Sequence, residues 1–169
     1  PIASAAFSDC SGLTSVTIPD SVISIRSEAF SGCIGLTSVT IPDSVLFIMS
    51  SAFSGCTGLT SATIGNGVIN IGDGAFSGCT GLSSVTIPDR VTFIGNSVFF
   101  ACTGLLEIRV ASDNLSFISL DGVLFDKMKT ILREYPCGKS GGYAIPDSVT
   151  SIGHAAFGSC ASLTSVTIP

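Results

Sequence analysis

The chain has 169 residues, a net charge of −5, 46% hydrophobic residues and only 11% charged ones. Such apolar content excludes a disordered segment, and the acidic balance argues against nucleic acid and anionic membranes, which call for basic stripes. No apolar run approaches the about 20 residues that a spanning helix needs, so membrane insertion is not expected.

Self-similarity decides the architecture. Phe7, Phe30, Phe53, Phe76 and Phe99 stand 23 residues apart, as do Cys10, Cys33, Cys56, Cys79 and Cys102. Phe157 and Cys160 resume the pattern after 58 residues, so one coil has gained 12. From Leu13 the apolar positions are Leu13, Val16, Ile18, Val22, Ile25, Ala29, Phe30 and Cys33, and they recur in register in the next three coils. One coil cannot bury this set; stacked coils can, because each covers its neighbour. Residues 1–169 therefore read as a single β-rich solenoid.

Within a coil, Ser15 to Ile18 alternates polar and apolar residues and predicts a short strand. Pro19-Asp20-Ser21 ends it, and Val22 to Ile25 predicts a second strand. Glu28-Ala29-Phe30 reads as a single helical or 3-10 turn. Ser31-Gly32-Cys33-Ile34-Gly35 then returns the chain to the next coil. It lacks the ending and context of a phosphate loop. Parallel strands stack about 4.8 Å apart, so successive coils should too.

The irregular coil over 111–141 departs from this pattern. Asp121 to Asp126 and Thr130 to Tyr135 flank Lys127-Met128-Lys129 and predict an inserted β-hairpin. All three lysines (Lys127, Lys129, Lys139) and both tyrosines (Tyr135, Tyr143) lie in or beside it. Either Phe125, Leu132 and Tyr135 pack the hairpin against the solenoid, or its basic tip meets an acidic partner.

The pattern SVTIPDSV…I…AFSGCTGL resembles the BspA-like class of leucine-rich repeats, with strand units such as Leu13-x-x-Val16-x-Ile18 and Leu36-x-x-Val39-x-Ile41. The resemblance covers essentially the whole chain. Ser21, Ser44, Gly67, Arg90 and Ser148 stand where an asparagine ladder is usual. The resemblance implies a leucine-rich-repeat solenoid that is surface-exposed or secreted, and an association with adhesion to host matrix proteins or neighbouring cells. It also implies no catalytic residues and no cofactor.

Candidate chemistry is sparse. The cysteine column reads as buried thiols, with disulfides between adjacent coils as the alternative. Seven cysteines cannot all pair, and Cys137, off the register, is the candidate reactive thiol. No CxxC occurs and His154 is the only histidine, so no metal site is expected. His154 falls in a turn, where a Ser–His pair would arise only by chance. Asp20, Asp43, Asp89 and Asp147 could line a calcium edge, or each could cap its own turn. Asn114-Leu115-Ser116 is a glycosylation sequon.

The outward strand face carries one column of Thr17, Thr40, Thr63, Thr86 and Thr167 and another of Ser15, Ser38, Ser61, Ser84 and Ser165. Glu107 and Arg109 interrupt both columns in the fifth coil. The candidate partner-binding residues are Thr17, Thr40, Thr63, Thr86, Glu107, Arg109, Lys127 and Lys129. The expected role is a non-enzymatic protein-binding or adhesion module. The alternatives are a structural spacer that stacks end to end through uncapped terminal coils, the chain opening and closing mid-coil, and an ice- or surface-binding Thr/Ser face.

Overall fold

The computed structural model describes residues 1–169. Its strands are short. They are β1 (Ser24–Ile25), β2 (Ser38–Ile41), β3 (Phe47–Ile48), β4 (Ser61–Ile64), β5 (Asn70–Ile71), β6 (Ser84–Ile87), β7 (Phe93–Ile94) and β8 (Glu107–Val110). There follow β9 (Phe117–Leu120), β10 (Val123–Asp126), β11 (Ile131–Glu134), β12 (Gly141–Ala144), β13 (Ser151–Ile152) and β14 (Leu163–Thr167). The chain is a β-solenoid with the 23-residue spacing that the period predicts.

Two strand systems run along the stack. The lateral sheet is parallel, in the order β1-β3-β5-β7, with Phe47 opposite Asn70 and Asn70 opposite Phe93. The strand face consists of parallel pairs: β2 with β4, β6 with β8, and β12 with β14. Ser15 to Ile18, read as a strand, joins no ladder. Thr37 N–H donates to the Thr14 carbonyl at 3.3 Å, and beyond that point the two coils part around a cleft.

Stacking is driven by one continuous apolar interior. The rings of Phe7, Phe30, Phe53 and Phe76 lie 5.1, 5.2 and 5.3 Å apart and nearly parallel. Phe99 follows at 5.9 Å. Phe30, Phe53, Cys33, Cys56, Leu36 and Leu59 are fully buried. The amides of Phe7, Phe30, Phe53 and Phe76 each donate to a main-chain carbonyl of the next coil, as Phe30 N–H does to Ala52 O at 2.8 Å and Phe53 N–H to Ala75 O at 2.7 Å. Backbones approach so closely at Cys-x-Gly that a Cβ on Gly58 would sit 2.4 Å from the Ile34 carbonyl oxygen. Only glycine fits there.

No helix forms. Ala29 N–H bonds Arg26 O and Ser31 N–H bonds Glu28 O, so consecutive tight turns occupy 26–33. Glu28 takes φ of 60°, and Ser51 and Ser97 repeat this at 57° and 54°. A left-handed residue breaks right-handed propagation, which is why the predicted helical turn is absent.

In the irregular coil β10 and β11 pair antiparallel across Lys127–Lys129, β9 joins them to make a three-stranded meander, and β11 also pairs in parallel with β13. β11 thus belongs to the stack. Phe125 and Leu132 are fully buried and Tyr135 nearly so.

Candidate functional site

The strand face brings most of the candidate residues onto one surface. Thr17, Thr40, Thr63 and Thr86 are all exposed. Thr40 lies opposite Thr63 across β2 and β4, and Thr86 opposite Arg109 across β6 and β8. The column is not continuous. β4 and β6 form no ladder, and a cleft of about 310 Å³ opens between them, lined by Ser61, Thr63, Ser84 and Thr86. A similar cleft of about 330 Å³ separates Ser15 and Thr17 from Ser38 and Thr40. The hydroxyls that tie coils together belong to other threonines. Thr60 Oγ1 donates to Thr37 O at 3.0 Å, and Thr80 and Thr92 repeat the device.

Glu107 and Arg109 point from the same face of β8 and form an ion pair. Residues two apart on a strand share a face, so the pair is a consequence of local geometry. Both side chains are exposed to solvent, which screens the pair and limits its stabilising effect. The β9–β10 turn packs directly against it. Ile108 N–H donates to Gly122 O at 2.8 Å, and Ser119 Oγ donates to Ile108 O at 2.6 Å.

The lysines part company. Lys127 Nζ donates to the Asn114 carbonyl, which pins the side chain to the loop before β9. Lys129 stays exposed in the turn. Lys139 Nζ donates to Asp121 O at 2.5 Å. The three are therefore not a free basic tip.

Several readings need correction. Cys137 is not a reactive thiol out of register: it is disulfide-bonded to Cys160, 23 residues on. Tyr135 takes the place of the missing coil phenylalanine, its amide donating to Ala156 O at 2.8 Å and its ring lying 5.1 Å from Phe157. This returns Cys137 to the cysteine column. The other five cysteines are free. Cys56, Cys79 and Cys102 each donate Sγ–H to the carbonyl of a phenylalanine 26 residues back, at 3.1 to 3.2 Å. Burial, then the adjoining Cys33, pushes the Cys56 thiol up to about 12. These thiols fill space and satisfy carbonyls; they are not nucleophiles.

Asn114 is a buried bracket rather than a glycan acceptor. Its Nδ2 donates to Pro88 O at 2.7 Å and to Val91 O at 3.1 Å, while Oδ1 accepts from the Ser116 and Phe117 amides at 2.8 Å. The sequon signal counts spacing and is blind to burial. Of the four turn aspartates Asp43 reaches beyond its own turn, its Oδ1 accepting from Asn66 N–H of the following coil at 2.7 Å; Asp73, outside that set, does the same with Asn96. No His, Cys, Asp and Glu cluster could hold a metal. His154 Nδ1 lies 3.3 Å from Ser97 Oγ on an exposed surface.

The lateral sheet presents residues the sequence reading passed over. Phe47 and Phe93 are exposed in its outward column, with Ile23 and Met49 nearby. Arg26, Phe47 and Met49 border an open groove of about 470 Å³ floored by Ser4, Ser24 and Ser27. The period-23 alignment carries the signal: Phe47 and Phe93 stand where Ser24 and Asn70 stand in other coils.

Comparison with known proteins settles the family. The model for the BspA type leucine rich repeat region matches six copies over residues 1–130 and 135–169. The chain belongs to this BspA-type family. A leucine-rich cell surface protein from Faecalibacterium prausnitzii is 34% identical, with a TM-score of 0.81, over 98% of this chain and 50% of its own. The pneumococcal vaccine antigen PcpA is 28% identical, with a TM-score of 0.78, over 86% of this chain and 42% of its own. A leucine-rich repeat protein from Bacteroides ovatus is 28% identical, with a TM-score of 0.62, over 98% of this chain and 52% of its own. This BspA-type chain thus spans about half the length of the solved structures it matches. No curated protein matches significantly. BspA-type and other leucine-rich repeats are typically non-enzymatic and generally mediate protein–protein interactions. No helix is long and apolar enough to cross a membrane.

Proposed function

We propose that this chain is a protein-binding module of a surface-displayed or secreted protein, engaging its partner on the strand face around β8. One observation carries the reading. The uncharged Ser/Thr face has a single charged interruption, the Glu107–Arg109 pair, followed by Gly142 and Ala144 in the next coil, and the β9–β10 turn is docked against that pair. A charged pair within a hydroxyl field offers direction, where the rest offers only hydrogen-bonding capacity. Thr63 and Thr86 on the cleft rim extend the surface. A host matrix protein or a neighbouring cell's surface protein is the partner class that the family resemblance implies.

A lattice-matching face is disfavoured, because Arg109 and the cleft between β4 and β6 break the Thr column. Deletion of 121–135 is no test of binding, since it removes core residues Phe125, Leu132 and Tyr135. The experiment is surface capture of purified extracellular-matrix proteins by the intact chain and by the Arg109→Glu and Glu107→Ala variants, each checked for native melting. The reading expects at least tenfold weaker capture for Arg109→Glu. Capture indifferent to both substitutions would refute it.

A further inference from the structure

The stack is jointed at one place. The core divides into a large cluster running from Ile18 to Leu124 and a small one of Val123, Phe125, Leu132, Tyr135, Ile145 and Ala156. The phenylalanine file stops at Phe99, and Tyr135 begins a separate aromatic group with Tyr143 and Phe157. The lateral sheet ends at β7 and a second one starts with the meander. The family pattern itself pauses over residues 131–134.

At this seam one hydrogen bond is replaced. In every regular coil the Phe amide donates to a main-chain carbonyl of the next coil, as Phe76 N–H does to Val98 O at 3.0 Å. Phe99 N–H instead donates to Oε1 of Glu134 at 2.7 Å. The inserted strands displace the following coil, and a carboxyl side chain spans the gap. Glu134 is almost wholly buried. An ionised carboxylate is far more costly to bury than a neutral acid.

We infer that the Phe99–Glu134 contact is a pH-sensitive joint: protonated Glu134 holds the terminal block of coils tightly on the first five, and ionised Glu134 loosens it. Burial pushes the Glu134 carboxyl up to about 7, against the opposing pull of the Phe99 and Val98 amides and of Arg133. Arg133 is the charged neighbour along β11, and its Nη2 is held by Ile94 O at 2.6 Å. Tyr135 follows directly after the strand. From the packed coils the facing groups are the Val98 and Phe99 amides, with His154 joined to Ser97 across the same seam. A folded-state value above the unfolded one means that the closed joint binds the proton more tightly. The favourable contribution is therefore complete below about 4.5 and is lost as pH rises to about 7.

The test is amide hydrogen exchange by NMR on the intact chain from pH 4 to 8, corrected for intrinsic exchange, with Phe76 N–H as internal control. The Phe99 protection factor is expected to fall by roughly a hundredfold between pH 4.5 and 7 and then level off, while Phe76 stays flat. Glu134→Gln keeps the acceptor and removes the titration, so its Phe99 protection is expected to vary less than threefold. Flat Phe99 protection in the unmodified chain overturns the inference. So does an undiminished fall in Glu134→Gln, which would assign the response to His154 or another group.

Discussion

Phe53 and Phe47 are the same residue type, six positions apart, in opposite situations. Phe53 is fully buried, stacked on Phe30 at 5.2 Å and on Phe76 at 5.3 Å. Phe47 is 37% exposed and stacks on no ring. Truncating a buried Phe to Ala generally costs about 3–5 kcal/mol, and each stacked ring pair adds about 0.5–1.5 kcal/mol beyond burial. Two stacking partners place Phe53→Ala near the upper end, at about 4–5 kcal/mol. Phe47→Ala should cost about 1 kcal/mol or less. With a urea slope of about 2 kcal/mol/M, the midpoint falls by about 2 M for Phe53→Ala and by under about 0.5 M for Phe47→Ala. Phe53→Leu, which keeps most of the volume but loses the rings, should fall between them, at about 1–2 kcal/mol. Urea unfolding followed by far-UV circular dichroism measures all three. Equal midpoint shifts for Phe47→Ala and Phe53→Ala would show that the phenylalanine file does not hold the coils together.

Other substitutions test other contacts. Asn114→Ala strands the Pro88 and Val91 carbonyls and two amides, and should lower stability by about 2–3 kcal/mol. Expression of the unmodified chain in a eukaryotic secretory host should leave Asn114 without glycan, read as intact mass. Iodoacetamide at pH 8 should alkylate exposed Cys10 within minutes and spare Cys56, Cys79 and Cys102 until the chain is denatured, because all three are buried away from the reagent and burial also holds the Cys56 thiol protonated. Peptide mass spectrometry reads the difference. Gly58→Ala pushes a Cβ into the Ile34 carbonyl and should reduce Tm by several degrees, whereas Gly12→Ala, which meets nothing within 4 Å, should not.

Strict periodicity made much of this protein legible. Phe, Cys and Leu at spacing 23 require stacked coils, because no single coil can bury eight apolar positions. The outward Ser and Thr columns follow from strand alternation. The Glu107–Arg109 pair was visible as the one charged interruption of those columns. Where the period fails, the sequence was a poor guide. Tyr135 substitutes for a phenylalanine one residue out of register, but Cys137 stands the regular 23 residues before Cys160, a spacing that counting forward from Cys102 passes over. The left-handed backbone at Glu28 was equally hidden, since glutamate is ordinarily a helix former.

What the sequence determined by itself was the repeat, the interior and the two faces, because these rest on identities recurring at fixed spacing. Only the tertiary structure decided how the irregular coil is spliced into the stack. It buried Asn114 as a bracket, placed Glu134 where a main-chain carbonyl should be, and set the β9–β10 turn beside Glu107. Those outcomes depend on the displacement of one coil relative to the next, a distance in space that no pattern along the chain records.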